Sequence, residues 1–561
     1  MMRAELVNRK GALTYIGWDN WYDRPSERLP YYFPYYLYQF KKRRITLPIV
    51  NEEFVDWQEY EPAPDDYGAD IIKEITTDLT VVDLYCTSIS MDEADVSEIL
   101  GGDGTKERPW KNIYTMLSFL RCLSHDNVYD RQMLCNVGGE IYLQINISGI
   151  IDYDYDQFLK KCNINMPIIN DVNKVVQVIL NFENCTITSE CAPCTFKSFT
   201  GMHKHIIENL TLDITASGES QTFNISADIV LNSNISSNEN LREVNGTISD
   251  CHIIINKSAN YDDANDNEPG VCGGTIILRS SFIFNGLPHF GAIGDFIKDC
   301  NIDVSGVPRY DFERNGALSG MLKAYNVNIK LPVYMPENID VHKYCWKSVS
   351  VGSAYKCNIE NAAVSGTFYN SNVTGMCNGG LQANNSNFDF YFRRHEPKYD
   401  QAFGTLNVKT LINTKIAIKT QLHNLIGGDQ MSTILMYLIG YLEDDPPEEA
   451  EPYGGSPVIL NSEITFTFTE HPVRGVYMYT IDVTMGSNND VDLDGYSVTI
   501  ANSKITATNK PTLDEDIPYG CARIYDIYDR YDNVPVNISN SEILTLCVSK
   551  GATRCCEDFE R

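Results

Sequence analysis

An all-β fold of stacked, parallel, repetitive strands is predicted by three features of the 561-residue chain. A four-residue phrase recurs along it: a polar residue (usually Asn), a small residue, any polar residue and an apolar one, as in Asn461-Ser462-Glu463-Ile464. After each Asn the residues alternate between apolar and polar with period two, the pattern of a strand with one buried and one wet face. The early copies lie roughly 18 to 30 residues apart, the spacing of a repeat that must stack on its neighbours to bury its apolar face.

The central pairs of these copies are Asn184-Cys185, Asn209-Leu210, Asn232-Ser233, Asp250-Cys251, Ser280-Ser281, Asp299-Cys300 and Ala324-Tyr325. They continue as Lys356-Cys357, Asn370-Ser371, Asn385-Ser386, Asn413-Thr414, Asn461-Ser462, Asn502-Ser503 and Asn540-Ser541. Their apolar closers include Ile187, Ile253, Ile283, Ile302, Val327, Ile464 and Ile505. A second short apolar run often precedes the Asn, as in Ile229-Val230-Leu231, so two short strands meet at a corner. Asn and Asp suit that corner because they are the non-glycine residues that best tolerate left-handed backbone angles. Stacking such units gives a right-handed single-stranded parallel β-helix, a solenoid whose hand follows from the crossover rule for parallel strands. Its inward ladders are expected to include Cys185, Ile187, Cys251, Ile253, Cys300 and Ile302, the cysteines acting as small apolar residues. A leucine-rich solenoid would need a regular leucine pattern, which is absent.

The Asn-cornered repeats, with Gly101-Gly102-Asp103-Gly104-Thr105 and Pro109-Trp110 ahead of a helix-like stretch at 113–123, resemble the pectin-lyase-like right-handed parallel β-helix superfamily. The Gly-Asp-Gly-Thr segment and its short apolar helix resemble the entry cap of phage tailspike and tail-fibre proteins. The resemblance covers about residues 99–561. It implies a fold; the same scaffold carries lyases, hydrolases, adhesins and inert spacers.

Residues 1–98 hold Trp18, Trp21, Trp57, the aromatic run Tyr31-Tyr32-Phe33-Pro34-Tyr35-Tyr36-Leu37-Tyr38 and the basic tetrad Lys41-Lys42-Arg43-Arg44, without an Asn-cornered copy. They are expected to form a small distinct N-terminal domain that docks onto a partner or packs over the first repeat. Residues 99–132 are expected to cap the open end, where unpaired strand edges would face water. Residues 133–561 are expected to form the β-helix, starting near Gly139-Glu140-Ile141-Tyr142-Leu143. An acidic loop, Glu443-Asp444-Asp445-Pro446-Pro447-Glu448-Glu449, interrupts it within an insertion at about 422–455, where a helical piece at 431–442 is predicted. The long intervals from Asn461 to Asn502 and on to Asn540 leave room for intermediate strands, placed at 476–483 and 522–528.

A net charge of −30 disfavours nucleic acid and anionic membranes as partners. The N-terminus lacks the apolar core of a secretory signal, and the apolar stretch at 434–442 is too short to insert into a bilayer. The 17 cysteines are odd in number and scattered, which points to reduced thiols made in the cytoplasm. Asn146, Asn184, Asn209, Asn224 and Asn372 begin Asn-X-Ser/Thr triplets, and several of them coincide with repeat corners.

Asp490-Val491-Asp492-Leu493-Asp494-Gly495 has the alternating carboxylates and glycine of a calcium loop, although Ala501 stands where an EF-hand places Glu. Cys191, Cys194, His203 and His205 offer zinc-type ligands at a spacing that matches no common finger. Asp262, Asp263, Asp266, Asp311, Glu313 and Asp400 supply carboxylates from which a glycosidase pair could be drawn, set against the solvated acidic face expected of 75 acidic residues. No nucleophile elbow, phosphate-cradling loop or His-Glu-x-x-His occurs. The resulting expectation is a non-catalytic tail-fibre or tailspike-like appendage, a homotrimer that requires no cofactor and has calcium as its candidate ion. It would bind a carbohydrate or surface receptor and join a virion or tail assembly protein through residues 1–98. A polysaccharide lyase or glycoside hydrolase on the same scaffold is the alternative, with a bacterial surface adhesin as a third reading.

Overall fold

The computed structural model describes residues 40–55, 60–92, 94–116, 141–152, 155–162, 177–189, 205–214, 222–237, 240–256, 274–285, 294–305, 318–331, 348–394, 406–422, 436–440, 457–468, 477–485, 497–509, 523–528, 535–547 and 553–554. They fall into two compact units, Met1–Val50 with Ile72–Gly306 and Asn51–Ile71 with Val307–Arg561. Both units are all-β in character, built mainly from parallel strands in long ladders.

In the first unit, β1 (Phe40–Val50) runs antiparallel to β2 (Ile72–Ser88), from Phe40 opposite Val82 to Val50 opposite Ile72. The second half of β2 pairs in parallel with β3 (Ile141–Asp152), and β3 pairs with β4 (Gln177–Ser189). The parallel stack therefore begins at β2, ahead of residue 98, and β1 and β2 extend that sheet rather than making one of their own. A first strand with a bare edge would invite pairing with another chain. Here β1 covers one stretch of that edge, and the Gly101–Lys111 loop covers the rest. Tyr85 N–H donates to Gly104 O at 2.9 Å, Thr87 N–H to Trp110 O at 2.8 Å and Ile89 N–H to Lys111 O at 3.1 Å.

Asp103 shapes this loop, its Oδ1 accepting from Thr105 N–H (3.1 Å) and Thr105 Oγ1 (2.7 Å). Gly104 has φ +79°, and a Cβ there would fall 2.6 Å from the Trp110 ring; this position requires glycine. A helical turn at 113–116 follows, and the remainder of the expected helix lies outside the described residues. The helix Tyr155–Cys162 lays buried Phe158 against Tyr114, with ring centroids 5.1 Å apart.

Each later repeat contributes one strand before its corner and one after. In the first unit, residues 187, 212, 235, 253, 282 and 302 are successive register partners, namely Ile187, Leu212, Ile235, Ile253, Phe282 and Ile302. In the second, the column is Ile329, Ile359, Val373, Phe388, Ile416, Ile464, Ile505 and Ile543. Cys251, Ile253, Cys300 and Ile302 are all buried. The side chains of Cys185 and Ile187 lie outside the described residues.

A third ladder in the second unit joins Met436–Gly440, Tyr477–Met485, Arg523–Tyr528 and Thr553–Arg554. It includes both intermediate strands expected from sequence. It also corrects the helix expected at 431–442, because residues 436–440 are a strand. A short apolar run does not distinguish helix from strand by periodicity, and the parallel neighbours decide.

Positive φ marks the corners at Asn209, Asn232, Asp250, Arg279, Asp299, Asn326, Lys356, Asn370, Asn385, Asn413, Asn461, Asn502 and Asn540. Two copies are displaced from their expected register. The corner assigned to Ser280 is Arg279, so Phe282 faces inward and Ile283 outward. The corner assigned to Ala324 is Asn326, which puts Val327 at the small position and makes Ile329 the closer. Asn361 also has positive φ (61°) and sits where the register shifts between Ile359 and Ala362.

Three consecutive amides must find acceptors at each corner. The corner amide donates to the next repeat, as Asn461 N–H does to Ala501 O at 3.0 Å. The third amide donates to the previous repeat, as Glu463 N–H does to Thr414 O at 2.9 Å. The middle amide has no carbonyl to meet and takes the side chain of the next repeat's small residue: Ser371 N–H to Ser386 Oγ, Ser462 N–H to Ser503 Oγ and Ser503 N–H to Ser541 Oγ, each at 3.1 Å. That same side chain donates back to the carbonyl two residues earlier, Ser462 Oγ to Leu460 O at 2.7 Å and Ser503 Oγ to Ala501 O at 2.8 Å.

The cysteines do the same work, which corrects their reading as small apolar filler. Cys300 Sγ accepts Ser280 N–H at 3.4 Å and lies 3.1 Å from Lys298 O. Where it holds Ser, Thr or Cys, the small position thus supplies a short side chain that both donates and accepts; Leu210 and Val327 fill it with buried aliphatic groups instead. Ser462→Ala should cost roughly 1–3 kcal/mol by stripping Thr414 N–H of its partner, whereas Ser462→Cys should cost much less. Urea denaturation midpoints of the two variants check this.

Candidate functional site

Among the described residues, several ion pairs lie where β1 and β2 pack against the first unit's strands. Ile45 of β1 packs with Val81, Tyr142, Ile179, Ile206 and Leu231. This contact brings the basic tetrad over the sheet. Arg43 grips Glu208 through two bonds, Nη1 to Oε1 at 2.7 Å and Nη2 to Oε2 at 2.5 Å, and also donates to Gln144 Oε1 at 2.8 Å. The Glu208 side chain is only 4% exposed, and an unpaired charge there would be costly. Arg44 pairs with Asp78, and Lys41 with Asp83.

At the start of β2, Arg279 donates to Glu74 (2.9 Å) and, through two nitrogens, to Asp250 (2.7 and 3.0 Å). The Arg279 hydrogen bonds hold the Asp250 carboxyl below the usual carboxylate range, and its two carboxylate partners hold Arg279 above its own. Asp250 and Arg279 border an open groove of about 390 Å³ shared with His252, Ser281, Asp299 and Asn301. His252 Nδ1 and Ser281 Oγ are hydrogen-bonded. A nucleophile–base pair also needs a group that orients the base, and no carboxylate hydrogen-bonds His252 among the described residues. The pair occupies the same outward column as Asn234 and Asn301, where it links adjacent repeats.

A second groove of about 300 Å³ is lined by Lys41, Asp83, Tyr85, Thr87, Gln144, Asn146, Ile147 and Ser148. A chain of hydrogen bonds fixes its amides: Gln144 Nε2 to Asn146 Oδ1 (3.2 Å), Asn181 Nδ2 to Asn146 Oδ1 (3.0 Å) and Asn209 Nδ2 to Asn181 Oδ1 (2.7 Å).

In the second unit, Asn51–Ile71 packs on this chain's own repeats. Tyr355 and Tyr369 stack with centroids 5.1 Å apart, and Tyr67 meets both rings edge-on. Asn384 clasps the segment's backbone, accepting Ala63 N–H and donating to Glu61 O, each at 2.9 Å. Gly68 has φ +95°, and a Cβ there would lie 2.4 Å from the Tyr355 ring. Residues 51–71, part of the stretch expected to dock onto a partner or pack over the first repeat, are therefore engaged with this chain's own strands.

Asp490, Asp492, Asp494, Cys191, Cys194 and His203 lie outside the described residues, as do Asp262, Asp263, Asp266, Asp311, Glu313, Asp400, Trp18, Trp21, Trp57 and the aromatic run at 31–38. His205 begins a strand, His205–Glu208, and its side chain is not among those described. No group of three His, Cys, Asp or Glu able to hold a metal occurs among the described residues. Sequence reasoning missed the Arg43–Glu208, Arg279–Asp250 and Lys41–Asp83 pairs. The one local signal was Arg279 itself, a bulky cation at a corner where Asn or Asp is the rule. No family model, no curated protein and no solved structure matches the chain.

The described cysteines are free thiols. Burial pushes Cys251, Cys300 and Cys357 up to about 12 from an ordinary 9.0. Their contribution to stability is complete below pH 9 and is lost as the pH climbs from 9 toward 12, because only the unfolded thiols ionise there. Native protein at pH 8 should leave all three unalkylated by iodoacetamide, and unfolding should expose them, as peptide mapping by mass spectrometry would read. Arg43→Ala should destabilise by roughly 3–5 kcal/mol because it strands a buried carboxylate. Adding Glu208→Leu to that variant should recover part of the loss in thermal unfolding.

Proposed function

We propose that the parallel ladders close into a right-handed β-helix of the pectin-lyase-like kind, and that the chain is a non-catalytic attachment protein resembling phage tail fibres or tailspikes. In this reading its outer face or C-terminal repeats engage a carbohydrate or surface receptor. The N-terminal residues join it to a virion or tail assembly, and it works as a homotrimer outside the membrane. Calcium at Asp490, Asp492 and Asp494 is its one candidate ion.

The observation that carries this reading is how the polar groups divide. Inward hydroxyls and thiols are consumed by the backbone, while the surface carries amides in rows. Asn413 Nδ2 donates to Asn385 Oδ1 (2.7 Å), and Asn385 Nδ2 to Asn370 Oδ1 (2.5 Å). Asn540 and Asn502 repeat the link at 2.8 Å. Such rows present donors and acceptors about 4.8 Å apart, a match for an extended ligand bearing regularly spaced hydroxyls.

Purified full-length protein is expected to bind a subset of immobilised bacterial polysaccharides without releasing reducing ends or unsaturated sugars. Product release abolished by a single Asp→Asn change would overturn the non-catalytic reading. A truncation that tests anchoring must stop at residue 39, since β1 and β2 belong to the folded stack. It should leave thermal unfolding unchanged while assembly is lost.

A further inference from the structure

The geometry points to the groove between β1, β2 and β3 as the place where a saccharide unit binds, with the Asp83 carboxylate accepting a sugar hydroxyl. This assignment rests on the reading of the chain as a carbohydrate-attachment protein, and it names the site that reading lacks.

Asp83 Oδ1 is buried and has no hydrogen-bond partner among the described residues, while its other oxygen pairs with Lys41. A buried carboxylate oxygen left without a donor is costly. The Asp83 side chain, with Lys41, lines a groove of about 300 Å³, at the lower end of the roughly 300–1,000 Å³ that small-ligand sites occupy.

The rest of the lining is fixed before any ligand arrives. Gln144 and Asn146 are locked in the amide chain that begins at Arg43. Asn146 Nδ2 also donates to Leu84 O at 3.3 Å, and the hydroxyls of Ser148 and Thr87 meet at 3.4 Å. The backbone of Tyr85 and Thr87 is pinned by the capping loop. A rigid floor of this kind spares the ordering cost of binding.

The charges select the ligand class. A divalent cation needs several oxygen ligands of like charge, whereas Asp83 stands beside an ammonium. A phosphate would need more than one cation, and the Lys41 charge is already matched by Asp83. A sugar hydroxyl both donates and accepts, so neighbouring hydroxyls can give to the Asp83 carboxylate and receive from Lys41 Nζ. The groove at Arg279 is less suited, because Arg279 already engages both oxygens of Asp250.

The test applies wild type, Asp83→Ala, Lys41→Ala and the control Arg44→Ala, all full length, to an array of immobilised neutral and acidic glycans, with thermal unfolding of each variant recorded. Wild type and Arg44→Ala are expected to bind the same glycans. Asp83→Ala and Lys41→Ala are expected to lose about tenfold or more in affinity while their unfolding midpoints hold. If Asp83→Ala fails to fold, Lys41→Ala decides. Glycan binding that is indifferent to both substitutions would overturn the groove and leave the attachment reading standing. No glycan binding by wild type would overturn both.

Discussion

One backbone amide sets the terms for the repeats of this chain. Where the chain turns through a left-handed residue, the next N–H points along the stacking direction to a place with no carbonyl. Leaving it there unpaired would cost roughly 1–3 kcal/mol, more than an ordinary hydrogen bond contributes. A hydroxyl or thiol from the following repeat meets it, and that group must be short, buried and able to donate as well as accept. The rule explains why Ser, Thr and Cys alternate at one position while Ile, Val and Phe alternate two residues later. Leu210 and Val327 depart from the rule in their side chains, and Leu210 keeps the contact from the other side, its amide donating to Ser233 Oγ at 3.2 Å.

That constraint is why so much of the architecture was legible. The Asn, the small residue and the apolar closer each answer a local demand, so a short window records all three. Legibility failed where a residue met the demand against its own preference. Arg279 adopts φ +45°, a conformation its side chain does not advertise, and the reading slipped by one residue. At Ala324-Tyr325 the apolar alternation continued smoothly past the true corner, Asn326, and hid it. The strand at 436–440 was missed because its strand character comes from its parallel neighbours rather than from its own periodicity.

The candidate sites were illegible for a different reason. Arg43 and Glu208 are 165 residues apart in sequence, and Arg279 and Glu74 are 205 apart. Repeats bring distant residues side by side through the number of strands stacked between them, and no window of sequence contains that number. The basic tetrad showed only that charge was present. Its division into Lys41 on Asp83, Arg43 on Glu208 and Arg44 on Asp78 depends on the register of β1 against β2. The groove at Lys41 therefore exists because an antiparallel ribbon was laid against a parallel stack.

The link between repeats also has a direction. Wherever a side chain meets a middle amide among the described residues, it comes from the repeat that follows in the chain. On a ribosome a newly emerged repeat therefore carries an open donor until its successor has been synthesised, and each arrival completes its predecessor while opening one bond of its own. Folding can proceed as a travelling front, one repeat behind synthesis. Because the link asks only for a hydroxyl or thiol, whole repeats can be duplicated or lost in evolution without retuning their neighbours.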